Sequence, residues 1–88
     1  MAPSYNSVVL IIQTKSLQHC MMQIKFLSMI DKVIILKKMP HWTKLIIYPK
    51  NKQYIINHIS NIIHKNKYNI AEIRCDTGCI QDVFYELT

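Results

Sequence analysis

Residues 7–13 read Ser-Val-Val-Leu-Ile-Ile-Gln, with five consecutive apolar positions from Val8 to Ile12. The run does not alternate and is rich in β-branched residues, the pattern of a strand buried on both faces. It falls well short of the roughly 18 apolar residues needed to cross a bilayer. A chain of 88 residues holds one domain, and at this size folding buries only about 60–65% of the surface the unfolded chain exposes. A strand this apolar is therefore expected in the middle of whatever sheet the chain builds.

The remaining elements follow from periodicity. After the polar break Thr14-Lys15-Ser16, apolar residues at 17, 20, 21, 24, 27 and 30 step by three and four. That stripe predicts a helix over Leu17–Ile30, with Ser16 as N-cap and Asp31 as its end. Lys32–Leu36 (KVIIL) predicts a second short buried strand. Trp42–Tyr48 (WTKLIIY) predicts a third, stopped by Pro49, which has no N–H to give a ladder. Over Asn51–His64, Ile55, Ile56, Ile59, Ile62 and Ile63 share one helical face. Ile70–Cys75 alternates as a half-exposed fourth strand, and Ile80–Leu87 closes the chain as a helix. The order β-α-β-β-α-β-α predicts an α+β fold, a small ferredoxin-like sandwich with a C-terminal docking helix.

Candidate chemistry is sparse. The chain has one glycine, Gly78, whereas loops that cradle phosphate need several so that backbone N–H groups can approach the anion. No self-sufficient ATP site is expected. Cys75 and Cys79 lie four apart, but with Cys20 and four scattered histidines they form no second close pair, so no metal site is expected. An odd number of cysteines fits a reducing compartment, and the first residues lack the basic region and cleavage site of a signal peptide. The expected location is cytoplasmic. His41, His58 and His64 read as surface or half-buried residues.

The formal charge is +6, and the lysines read first as solvated surface. Trp42, Tyr48 and Tyr54 could be stacking platforms for single-stranded nucleic acid, but no nucleic-acid motif accompanies them. Nucleic acid is the less favoured partner.

The closing residues, CIQDVFYELT, resemble the end of bacterial ABC transporter ATP-binding subunits of the drug- and polysaccharide-exporter type. Those chains close on Leu-Glu-Asp-Val-Phe, one or two variable residues, Leu and Thr. Here Ile80 stands for the Leu and Gln81 for the Glu, while Asp82, Val83, Phe84, Leu87 and Thr88 match directly. The strand, helix and strand over 42–75 follow the order of that family's C-terminal accessory domain. Earlier, Asp31–Leu36 is similar to the family's Cys-Asp-Arg-Val-Ile-Ile-Leu, and His19 falls in order as a weak equivalent of the switch histidine. The spacings around His19 are longer than in the family, and the glycine after Leu36 is missing.

The resemblance implies a division into 1–40, a degenerate end of an ATPase-like segment, and 41–88, an accessory α+β domain, the two able to pack as one. The phosphate loop, the signature motif and the Mg²⁺-holding acid would lie upstream of residue 1. ATP and Mg²⁺ would thus belong only to a full-length relative, and His19 would have no catalytic role here. The implied function is an accessory or regulatory module without its own nucleotide site, or a nonfunctional remnant. Its partner would be an ATPase body or a membrane-spanning transporter subunit, which would place it at the inner membrane periphery; a homodimer is a further option. The alternative is an autonomous ferredoxin-like module for a protein or nucleic-acid partner.

Ile80, Val83, Phe84 and Leu87 form the docking stripe of the predicted last helix. Burying them contributes on the order of 6–10 kcal/mol gross, comparable to a small domain's net stability. Deletion of residues 80–88 is expected to abolish the cooperative thermal transition; a transition retained by circular dichroism would show that the stripe docks on something other than this domain.

Overall fold

The computed structural model describes residues 6–76. Its elements are β1 (Ser7–Gln13), α1 (Leu17–Lys25), β2 (Ile30–Lys38), β3 (Trp42–Pro49), α2 (Ile56–Asn66) and β4 (Ile70–Asp76), with single 3₁₀ turns at Thr14–Ser16 and Lys50–Lys52. The fold is α+β, and the observed order is β-α-β-β-α-β. The predicted closing helix, with Ile80, Val83, Phe84 and Leu87, lies outside the described residues.

The four strands form one antiparallel sheet in the order β2-β3-β1-β4. This is the sheet of a ferredoxin-like sandwich. Strands from both sides of position 40 share it, because β1 pairs with both β3 and β4. Val8, Leu10 and Ile12 of β1 are fully buried and point to the helical layer, where they meet Leu17, Cys20 and Ile24 of α1 and Ile55, Ile59 and Ile63 of α2. Leu45 and Ile47 of β3 complete this core. β1 is the central strand that its composition demands.

Three expectations need correction. First, α1 stops at Lys25 rather than Ile30. Residues 26–29 reverse the chain through tight turns, with Leu27 N–H donating to Ile24 O and Ile30 N–H to Leu27 O. Ile30 pairs with Pro49 as the first residue of β2. The apolar stripe survives the change, since Leu27 packs against the core from the turn and Ile30 is buried at the strand start. Ser16 does occupy the N-cap, but its side chain makes no capping hydrogen bond.

Second, α2 begins at Ile56, not Asn51. Asn51 and Lys52 adopt positive φ and Gln53 is extended, so the chain turns before the helix can start. The predicted apolar face is nevertheless the one that packs: Ile55, Ile59 and Ile63 are buried, with Ile56 and Ile62 flanking them.

Third, β2 is not a buried strand. It lies at the end of the sheet, and only Ile30 of its nine residues is buried. A short run of apolar residues looks the same on a central and an edge strand; sheet order alone separates them.

The two ends of the sandwich are tied by polar contacts. The buried Thr43 hydroxyl is 2.8 Å from that of Thr14, which also donates to Met39 O at 2.8 Å. This fastens the β2–β3 turn to the end of β1. On the helical layer, Asn66 and Gln23 exchange side-chain amide hydrogen bonds of 2.7 and 3.3 Å, joining α2 to α1. No buried side-chain polar atom among the described residues lacks a partner.

Lys67 ends α2 in the left-handed conformation, with φ 56° and ψ 39°. A side chain with a Cβ is strained there by about 1–2 kcal/mol, and glycine is not. Lys67→Gly is expected to stabilise the chain by about 1 kcal/mol, read as a rise in the midpoint of urea or thermal unfolding.

Candidate interaction surface

Sheet pairing sorts the strand residues into two faces. The face opposite the helices carries rows that run across the strands. One row is Ile34–Ile46–Val9–Arg74, and its neighbour is Lys37–Lys44–Ile11–Glu72. The pairs Lys32–Tyr48 and Ser7–Asp76 lie beyond the first row. Trp42 stands beside Gln13 at the other end. Lysines and aromatics thus share this face, as a nucleic-acid platform requires. Its details fit that role poorly. Val9 and Ile46 at its centre are only 3% and 7% exposed. The Lys32 ammonium lies 5.2 Å from the Tyr48 ring centre, over the ring where a base would stack. Arg74 is held by Glu72 at 2.8 Å. Tyr54, the third aromatic, lies ahead of α2 and not on this face.

The exposed apolar surface is elsewhere. Among the described residues, the large apolar side chains left exposed are Met22, Phe26, Ile34, Ile35, Leu36, Met39 and Tyr54. All but Tyr54 belong to α1, β2 or the turns beside them. Met22 and Phe26 are four apart, one turn of helix, and Phe26 is 83% exposed. On β2, Ile34, Ile35 and Leu36 are consecutive, and Leu36 is 51% exposed.

Consecutive exposure is odd for a strand, whose neighbours point to opposite faces. The edge position leaves Ile34 and Ile35 exposed on opposite faces, and the register accounts for Leu36. Pairing with β3 slips between Ile35 and Lys37, leaving Leu36 as an extra residue in a bulge. A similar slip between Ile30 and Lys32 displaces Asp31. Between the slips, Lys32–Ile35 is regular strand, bonded to β3 on one side and, among the described residues, unpaired on the other. Beside it, a groove of ≈ 520 Å³ separates α1 from β2 and is lined by Leu17, Met21, Met22 and Ile35, with Lys15 and Lys38 among its polar residues. The surface therefore combines an open strand edge, an apolar groove and a lysine rim.

His19 lies on the exposed side of α1. Its Nδ1 shares a hydrogen bond with the Tyr68 hydroxyl, and the two rings meet edge to face at 5.8 Å. Burial, with a smaller repulsion from the Cys20 thiolate, pushes the Tyr68 phenol up. Cys20 is fully buried one residue from His19, and burial raises its thiol to about 11. A thiol held protonated is a poor nucleophile, so His19, Cys20 and Tyr68 make a packed contact between α1 and the α2–β4 turn, without an activated group. His41, His58 and His64 are exposed. Cys75 is partly buried, its Sγ 4.0 Å from the Asn6 amide oxygen, whereas Cys79 lies outside the described residues. No cluster of three or more His, Cys, Asp or Glu that could hold a metal occurs among the described residues. No described helix is long and apolar enough to cross a membrane.

Sequence reasoning misses the β2 edge because KVIIL reads as buried. The signal that marks it is the lysine at either end, Lys32 and Lys37, which suits a strand edge better than a centre.

No known protein family model matches this chain, and neither does any curated protein or solved structure.

The raised Cys20 thiol has a signed consequence. The folded state prefers the neutral thiol, so its contribution is complete below the unfolded value of 9.0 and is lost as pH rises through about 11. Stability is expected to fall across that window. Cys20→Ser, lacking the thiol, should flatten the decline in urea denaturation midpoints measured across it.

Proposed function

We propose that this chain is an autonomous ferredoxin-like protein-interaction module, with no reaction chemistry of its own. It receives an extended segment along the open edge of β2. The observation that carries this reading is the outer edge of β2, which pairs with no other described strand and carries the exposed Ile34, Ile35 and Leu36, with Met22 beside Ile35 in the adjoining groove.

The physical logic is β-strand addition. Outward-facing N–H and C=O groups of β2 supply sequence-independent affinity, and side chains on alternate faces supply selectivity. An incoming strand would cover Ile34 on the open face and Ile35 toward the groove. Lys32, Lys37 and Lys38 on β2, with Lys15 and Lys25 by the groove, favour a segment flanked by acidic residues. The lysines also keep the edge from indiscriminate pairing.

The other reading, a C-terminal piece of an ABC-type ATP-binding subunit, rests on sequence resemblance. Its closing motif lies beyond the described residues, and its Asp31–Leu36 match coincides with the edge strand. Neither reading gives this chain a nucleotide site of its own, so tight binding in a titration with MgATP would count against both.

A display selection of extended octapeptides on the purified full chain tests the proposal. Enriched peptides should hold three or four β-branched or aromatic residues between acidic ends. Ile35→Lys should weaken them at least about tenfold without changing the thermal transition. Failure to enrich any peptide, or equal binding to the Ile35→Lys chain, would overturn the reading. So would preferential, salt-sensitive binding of single-stranded RNA.

A further inference from the structure

Resting on the β2 edge as the interaction surface, we infer that one occupant of that edge is a second copy of this chain, with its β2 antiparallel to the first about a two-fold axis beside Ile34. The strand reads Ile30-Asp31-Lys32-Val33-Ile34-Ile35-Leu36-Lys37-Lys38. In an antiparallel pair, a two-fold axis perpendicular to the sheet passes between directly opposed residues. The central residue must then face its own copy.

Placing Ile34 there sets Val33 opposite Ile35, Lys32 opposite Leu36, and Asp31 opposite Lys37 of the second copy. Symmetry repeats each of these contacts, so the pairing has an apolar centre and an Asp–Lys pair at both ends. Neighbouring registers lack this match. Centring on Val33 sets Asp31 against Ile35 and Lys32 against Ile34; centring on Ile35 sets Lys32 against Lys38. Unlike charges opposite each other across strands favour pairing, and like charges oppose it.

Asp31 strengthens the case. It is the only acidic residue before Glu72, it is exposed on the edge strand, and among the described residues it forms no ion pair within its own chain. A lone carboxylate placed six positions from a lysine, symmetrically about the apolar centre, gives the strand a self-complementary pattern. The bulges at Asp31 and Leu36 bracket the regular stretch. About Ile34 the Asp31–Lys32 bulge of one copy falls opposite the Leu36–Lys37 bulge of the other, so the extra residues oppose each other and the Asp31–Lys37 pair stays in register. The two copies would join their sheets into one of eight strands and cover Ile34, Ile35 and Leu36 from water.

The test is sedimentation velocity of the full chain over a range of concentrations at 0.15 M salt, where the Debye length is about 8 Å. The wild-type chain should sediment as a concentration-dependent dimer. Asp31→Lys and Lys37→Asp, each alone, place like charges opposite each other and should weaken the dimer at least about tenfold. In an equimolar mixture of the two variants, the introduced lysine of one chain faces the introduced aspartate of the other. The unaltered Lys37 and Asp31 face each other at the opposite end, so association should be restored. Far-UV circular dichroism of each variant should match the wild type.

A wild-type chain that stays monomeric overturns this inference while leaving the peptide-binding reading to its own test. Dimers indifferent to both charge changes, or a mixture that fails to recover, would equally overturn it. Recovery in the mixture alone, with neither variant dimeric by itself, is the outcome a general loss of stability could not produce.

Discussion

Everything in this sandwich depends on the two-sided pairing of β1. Its backbone is bonded to β3 on one side and β4 on the other, while Val8, Leu10 and Ile12 fill the space beneath both helices. β3 is also paired on both sides, with β1 and β2, but its outer neighbour β2 is largely exposed; β2 and β4 lie at the sheet ends. The helices then have little choice of position. Leu17, Cys20 and Ile24 must lie over the same strand residues as Ile55, Ile59 and Ile63, and the Gln23–Asn66 amide pair locks the two helices together above them.

A core so concentrated on one strand leaves little apolar material to seal the periphery. The groove side of β2 is covered only in part by α1, and its outer edge has no neighbour in the described sheet. Small sandwiches cannot surround every strand with their own chain. Among the described residues the β2 edge has no strand beside it, and its lysines and bulges have the character of features that restrict which strands may join it. The proposed binding surface needs no catalytic group. That is consistent with the inert setting of Cys20, whose thiol burial keeps protonated, and with the His19–Tyr68 contact, which links two elements.

The sequence reading and the structure agree most closely where a pattern is local. Ser7–Gln13 is legible to the residue, since five apolar residues between polar ends leave no other good assignment. The apolar faces of both helices are legible too, but their ends are not. Ile30 lies in phase with the α1 stripe, yet pairing with Pro49 draws it into the sheet. Asn51 and Lys52 fit a helical pattern, yet their positive φ values delay α2 to Ile56. Periodicity reports which side chains are apolar, not when a backbone yields its hydrogen bonds to another partner.

By itself, then, the sequence determined the element order over residues 7–76, the central strand, the two amphipathic faces and the want of a glycine-rich phosphate loop. All of these follow from residue type and spacing along a few turns or one strand. Tertiary structure alone decided that Lys32–Leu36 is an edge rather than a buried strand, that bulges displace Asp31 and Leu36, and that Met22 and Ile35 line one groove. The reason is physical. Whether an apolar strand is covered depends on which strands flank it, and sheet order is set by contacts between residues far apart in the chain, which no local pattern encodes.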